Sequence, residues 1–187
     1  MDKIFNKAKT YCSDSYVVDY TNETNSRRGV EIHTEQPEDI AYFHVKDPKK
    51  IEYWGINFEE QPAFFKGVSQ CECMFASKKF NKKGWACLVE LKYCLEKNVE
   101  SNSGAAFAQL NNTLDFLKEK GVLDSDNYRI YLNISIPDHS NKEPFLSFIS
   151  TQDDVLDKLK NERVQVLGYN QVLILNEGFI KVPKQEI

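Results

Sequence analysis

No stretch of the sequence stays apolar over the roughly 18 residues that a membrane-spanning helix needs, so none is expected. The first residues, MDKIFNKAKTYCSDSY, carry no apolar stretch behind their basic residues, and no secretory signal is expected there. Glycine and proline are sparse, 8 and 6 in 187 residues, and there is no internal repeat or low-complexity tract. Collagen-like, linker-like and disordered chains are thereby excluded. Histidine occurs only as His33, His44 and His139, which do not cluster in sequence. No GxSxG elbow, GxGxxG loop or GxxxxGK(S/T) loop is present, which speaks against serine hydrolases, dinucleotide binders and P-loop NTPases. An excess of positive charge is lacking too. The net charge is −4 and the pI about 5.5, so any nucleic-acid binding needs a locally basic face.

Cysteine is present in an odd number: Cys12, Cys71, Cys73, Cys87 and Cys94. The odd count, with no signal sequence, points to reduced thiols in a cytoplasm. Cys71, Cys73, Cys87 and Cys94 would make a zinc set on paper. They contain no CxxC knuckle and sit in segments that read as buried strands, where free cysteine is common.

What the chain does have is aromatic and aliphatic bulk. Twelve phenylalanines, nine tyrosines and two tryptophans suffice for a sizeable core. The length suits one domain over residues 1–187, with an irregular N-terminal part (1–69) and a sharper pattern over 70–175. In the first part a short helix is expected near Lys3–Cys12 and a loop over Ser13–Arg28. Short strands are expected at Val30–His33 and Ile40–Val45, and Ile51–Phe58 reads as strand or helix. In the second part Gln70–Ser77 and Trp85–Cys94 read as strands joined by the basic turn Ser77–Gly84. The near-continuous apolar run of the second strand suits a central strand covered on both faces. Phe107, Leu110, Leu114 and Leu117 fall at helical spacing within Ser101–Lys120, with Ser101 or Ser103 as caps and Gly121 as the C′ residue. Tyr128–Ile136 alternates as a strand. Thr151 and Asp154 open a helix to about Glu162, and Val164–Leu175 reads as one or two closing strands. This alternation of strands and helices predicts an α/β sandwich with a mixed sheet.

The chemistry is concentrated in Glu90-Leu91-Lys92. With period-two alternation, Glu90 and Lys92 point one way, and Cys87, Val89, Leu91 and Tyr93 the other. Opposite charges on one face of an apolar strand are expensive to bury without a partner or a role. A self-satisfying structural ion pair is one reading. Glu72, on the preceding strand, supplies a second carboxylate that a hairpin would bring beside Glu90. Two carboxylates with a lysine suit Mg²⁺ or Mn²⁺, a hard cation that keeps waters and takes substrate phosphate into its shell. A turn carrying Lys78, Lys79, Lys82 and Lys83, interleaved with Phe80 and Trp85, reads as a phosphate-contacting patch or simply as an exposed hairpin tip.

These segments, CECMF with Glu72 and VELKYC with Glu90 and Lys92, followed by AFAQLNNTLDFL and YRIYLNISI, resemble the PD-(D/E)XK nuclease superfamily. The resemblance covers roughly residues 70–175. It implies a restriction-endonuclease-like α/β sandwich whose central mixed sheet is flanked by helices. It also implies a metal-dependent nuclease acting on DNA or RNA. Glu72 and Glu90 would hold Mg²⁺ or Mn²⁺, Lys92 would assist the attacking water, and Gln109 matches a glutamine that some members place on the helix after the E-x-K strand. The chain departs from the pattern in having Glu72 where aspartate is usual, without a preceding proline. An additional acid from the N-terminal third is expected at Asp14, Asp19 or Glu31. Implied partners are nucleic acid and, since many members are dimers, a second copy of the chain. A membrane is not an expected partner. The alternative is a catalytically inactive nuclease-like module that binds or regulates a protein partner.

Overall fold

The computed structural model describes residues 4–5, 7–21, 29–79, 81–139, 157 and 159–182. Its elements in chain order are β1 (Lys9–Tyr11), β2 (Ser15–Asp19), β3 (Val30–His33), β4 (Phe43–Lys46), β5 (Tyr53–Asn57), β6 (Cys73–Ser77), β7 (Gly84–Leu91), α1 (Val99–Glu119), β8 (Tyr128–Ser135), β9 (Val164–Leu167), β10 (Gln171–Asn176) and β11 (Phe179–Lys181). A six-stranded sheet has the order β1-β5-β6-β7-β8-β9, and a five-stranded sheet the order β11-β10-β4-β2-β3. Strands β5, β6 and β7 form an antiparallel meander. From β7 the chain crosses through α1 and returns as β8, parallel to β7, with β9 parallel beyond it. A parallel return needs a long connection, and a helix is the usual one.

The apolar pattern explains the layering. All eight residues of β7 are buried. Ala86 and Leu88 join one core with Leu110, Leu114 and Leu117 of α1. Trp85, Cys87, Val89 and Leu91 join another with Val17, Phe43, Val45 and Ile174 of the second sheet. The near-continuous apolar run of β7 therefore faces helix on one side and sheet on the other, as its central position requires.

The α/β class and the mixed sheet are as expected, but the cover of the sheet is not. One face of the larger sheet carries α1. The other carries the second sheet, where a flanking helix was expected. The helix expected over 151–162 lies mostly outside the described residues. Its last turn, 159–161, is helical, and Leu159 packs into the core on the α1 side.

The N-terminal third is not irregular: it supplies five of the strands. Instead of a helix over Lys3–Cys12, residues Lys9–Tyr11 pair with β5 as an edge strand. Instead of a loop, Ser15–Asp19 forms β2, held between β3 and β4. Residues 22–28 of that expected loop lie outside the described residues. These strands have three to five residues each. At that length, pairing with distant chain decides structure more than local propensity does. α1 also begins earlier than its serines suggest. A 3₁₀ turn at Glu96–Asn98 leads into it, and Asn98 is an N-cap without a side-chain cap bond. Ser103 instead donates to the Val99 carbonyl within the helix at 2.7 Å. The C-terminus is as expected. Gly121 has φ +65°, and the amides of Gly121 and Val122 bond back to the carbonyls of Lys118 and Leu117 in a Schellman motif.

The β1–β5 contact depends on one glycine. A Cβ on Gly55 would stand 2.5 Å from Cε2 of the buried Tyr11 ring and 3.2 Å from Phe75. We expect Gly55→Ala to destabilise the fold by about 1–3 kcal/mol through overpacking. Urea unfolding checks this as a lower midpoint at unchanged slope.

Candidate functional site

The β6–β7 hairpin has Cys73 opposite Val89. Continuing that register by one residue brings Glu72 level with Glu90, and the Glu72 amide donates to the Val89 carbonyl at 3.2 Å. By alternation both glutamates lie on the α1 face, in line with Met74 and Ala76 on β6 and with Ala86 and Leu88 on β7. The two acids named from the sequence therefore converge, as the hairpin predicted.

Glu90 has no solvent exposure, and Lys92 Nζ donates to its Oε1 at 2.5 Å. The same ammonium donates to Gln109 Oε1 at 2.9 Å, and Gln109 Nε2 donates to the Gln70 carbonyl at 3.3 Å. Gln109 thus ties α1 to the lysine and to the chain entering β6. One helical turn on, Thr113 adds a second tie. Its hydroxyl donates to the Gln109 carbonyl at 2.7 Å and accepts the Cys71 amide at 2.8 Å. The remaining oxygen of Glu90, Oε2, is buried without a hydrogen-bond partner among the described residues.

Burial pushes both carboxyls above their ordinary range. For Glu72 the neighbouring charges of Glu90, Asp19 and Glu59 raise it further, against a smaller pull from Lys92. For Glu90 the pull of Lys92 opposes burial, the nearby Glu72 amide helps, and Asp19 adds to the rise. That amide makes its hydrogen bond to Val89, so its effect on Glu90 is that of a nearby dipole. The pair titrates as a unit, with protons shared between two closely spaced acids.

Of the three acids expected from the N-terminal third, Asp19 acts on the pair. It ends β2, where its Oδ1 accepts the Thr21 amide at 2.8 Å. Asp14 is committed elsewhere, accepting the Asp47 amide at 2.8 Å and pairing with His44 at 2.9 Å. Glu31 pairs with His33 at 3.2 Å. Glu59 is a further contributor that the sequence did not single out. It lies beyond β5 with no motif around it, and it accepts the Val30 amide at 2.9 Å.

The turn lysines are elsewhere. The turn joins the end of β6 to the start of β7, whereas Glu72 precedes β6 and Glu90 ends β7. Six residues of strand separate them, about 20 Å. Lys78 and Lys79 are neutralised at that end by Glu52, at 3.9 and 2.9 Å, and Lys78 also lies 5.0 Å from the Trp54 ring centre. Lys82 is exposed, and Lys83 donates to the Ser125 carbonyl. Phe80 lies outside the described residues.

The thiols take no part. Burial pushes those of Cys71, Cys73 and Cys87 up, which disfavours the thiolate that a metal needs. Among the described residues no group of three or more histidine, cysteine or acidic side chains is disposed as a metal site. No described helix is long and apolar enough to cross a membrane. Comparison with protein-family models, curated proteins and solved structures finds no match to this chain.

The raised carboxyls give a pH signature with a definite sign. Between the ordinary carboxylate range and the raised values, the folded chain holds protons that the unfolded chain has released. Stability then falls as pH rises. We expect the unfolding free energy of the metal-free protein to decline between about pH 5 and pH 8, and Glu72→Gln to flatten the decline. Urea unfolding across that window checks it. A flat or rising wild-type profile would contradict the assignment.

Proposed function

We propose that this chain is a metal-dependent nuclease that hydrolyses phosphodiester bonds of DNA or RNA. Glu72 and Glu90 hold Mg²⁺ or Mn²⁺, Lys92 acts on the reacting oxygens, and Gln109 positions Lys92. The observation that carries this reading is the unpartnered Oε2 of Glu90 beside a second half-buried carboxyl. A buried acceptor without a partner costs about 1–3 kcal/mol. Such groups call for a reason; among the described residues Oε2 is one of five, and its carboxyl is the one beside Glu72. The donor set is two carboxylates, with no thiolate or imidazole among its described neighbours, which suits a hard cation that fills its shell with water and phosphate oxygen. When bound, such an ion polarises a phosphoryl oxygen and lowers the pKa of a bound water.

The chain's own groups complete the reading. Lys92 has three N–H donors, of which Glu90 and Gln109 take two. The third is available, among the described residues, for a phosphate oxygen or the attacking water. The ammonium is fixed by both partners, so it stabilises developing negative charge without reorganising. Asp19 adds negative potential that favours a cation at the two glutamates. Support also comes from topology. An antiparallel meander, a crossover helix and a parallel strand place the first acid at the start of β6 and the E-x-K at the end of β7. That is the order the resemblance to the PD-(D/E)XK superfamily implies.

One observation favours the second reading, an inactive nuclease-like module. The turn lysines stand about 20 Å from the carboxylates, so they do not flank a substrate there.

Calorimetry with Mn²⁺, with plasmid cleavage followed in the same samples, separates the two. We expect wild-type protein to bind Mn²⁺ and cut, with chelator abolishing cutting. Glu90→Gln loses metal binding. Lys92→Met keeps metal binding and slows cutting by about 100-fold or more. Binding without cutting in the wild type transfers the assignment to the module. Absence of both sinks the metal site.

A further inference from the structure

At the far end of β7 lies a second concentration of charge, of the opposite sign. Lys83, Arg129, Lys160 and Arg163 line one open cleft of about 350 Å³, with Tyr131 and Gln165 in its wall. The four come from three separate stretches of chain: the β6–β7 turn, the start of β8 and the turn that enters β9, which supplies two of them. Their convergence is therefore a property of the fold and invisible in sequence. Among the described residues none of them is ion-paired with a carboxylate. Asp124 is the acid close to Lys83, and its own oxygens are occupied by the amides of Asp126 and Asn127 and the Asn127 side chain.

Two of these cations have bonded side chains, Arg129 and Lys83, the latter donating to the Ser125 carbonyl, and the other two share a tight turn. The Arg129 guanidinium lies 3.8 Å from the Phe179 ring centre, and its Nη1 donates to the carbonyls of Lys83 and Gly178 at 3.4 and 3.3 Å. That leaves its Nη2 and Nε donors unengaged among the described residues, on a side chain already oriented. Arg163 has φ +61°, in the left-handed region, and its amide bonds to the Lys160 carbonyl at 3.0 Å. The tight turn keeps Lys160 and Arg163 side by side at the cleft mouth.

A planar guanidinium fork with three further cations around an open space suits a tetrahedral, multiply charged oxyanion better than a single carboxylate. The volume fits more than a lone ion. We propose that this cleft binds the phosphate group of a phosphate ester, presented by a nucleotide or by a polynucleotide backbone. The site is separate from the carboxylates. Arg129 stands five residues before Ile134, the β8 partner of Glu90, about 15–20 Å along the strand. Its occupancy does not depend on metal or on cleavage.

The test uses the whole chain, metal-free, titrated with inorganic phosphate, a nucleoside monophosphate and a short single-stranded DNA at about 50 mM salt. We expect saturable binding of at least one phosphate ester, weakening as salt is raised to about 200 mM. Lys160 and Arg163 are exposed, so Lys160→Gln with Arg163→Gln keeps the fold. That pair should lower affinity at least tenfold. Arg129→Lys, which keeps the charge and loses the fork, should weaken binding as well. Equal affinity for the mononucleotide and the DNA identifies a nucleotide site, and binding of the DNA alone identifies a backbone contact. Failure of all three probes to bind at millimolar concentration overturns the proposal. So does binding that neither variant changes.

Discussion

A carboxylate without solvent exposure on a central strand is the constraint around which the rest of the site is arranged. Glu90 lies on the α1 face, in line with Ala86 and Leu88, where an apolar residue would pack without any polar partner. Well-packed apolar side chains often match or exceed a buried ion pair in stability. The carboxyl is kept at a cost that the surroundings only partly offset, and burial raises its hold on a proton. Lys92 satisfies one oxygen, and its own geometry is fixed in turn by Gln109, which is anchored on Gln70. Each group is held by the next, and the series ends in a carboxylate oxygen with no partner among the described residues. Among the described residues the run of hydrogen bonds leaves two groups open at this point, the Glu90 oxygen and one N–H of Lys92.

The layers decide why those groups meet. The crossover from β7 to β8 must be long because the strands are parallel, and α1 fills it. Once α1 lies over β7 with Leu110 and Leu114 in the core, Gln109 falls at the edge of the buried face, within reach of Lys92. Thr113, one turn later, fastens the helix to the Cys71 amide at the entry to β6. Both glutamates are thus placed by strand register, and both polar helix residues by helical period. Neither depends on a loop, which favours a site of fixed geometry. The second sheet contributes from behind. β2 ends in Asp19, whose charge reaches both carboxyls.

The parts of this arrangement that could be read from sequence are those with a long local signal. β7 announced itself by a near-continuous apolar run, α1 by its Phe107/Leu110/Leu114/Leu117 spacing, and β8 by strand-like alternation. The convergence of Glu72 and Glu90 needed only a hairpin and period two. The second sheet had no such signal. β4 pairs in parallel with β10, matching His44 with Gln171 across most of the chain's length, and no window of sequence contains that information. For the same reason Asp19 could not be told from Asp14 or Glu31. Their roles differ only because His44 and His33 take the other two once the sheet has formed. The place of the turn lysines relative to the acids was illegible for a different reason. A run of like charge states how much charge there is, but a hairpin places its turn at the opposite end of the strands from the residues it brings together.

That separation means that a net charge of −4 does not describe the surface locally. The total, summed over 24 basic and 28 acidic residues, conceals two local concentrations, one of acids and one of cations. One holds Asp19, Glu59, Glu72 and Glu90 around Lys92. The other holds Lys83, Arg129, Lys160 and Arg163 in a cleft. Screening at physiological ionic strength acts over about 8 Å, and the two lie about 15–20 Å apart along β8. Each therefore presents its own potential. A cation at the carboxylates would be little repelled by the arginines, and a phosphate in the cleft would be little repelled by the acids. The separation also sets a requirement on any one substrate. Only a ligand with phosphates spaced along an extended backbone could engage both regions at once, whereas a mononucleotide could occupy just one. Whole-molecule charge is silent on that choice, because it is made by the length of β7 and β8.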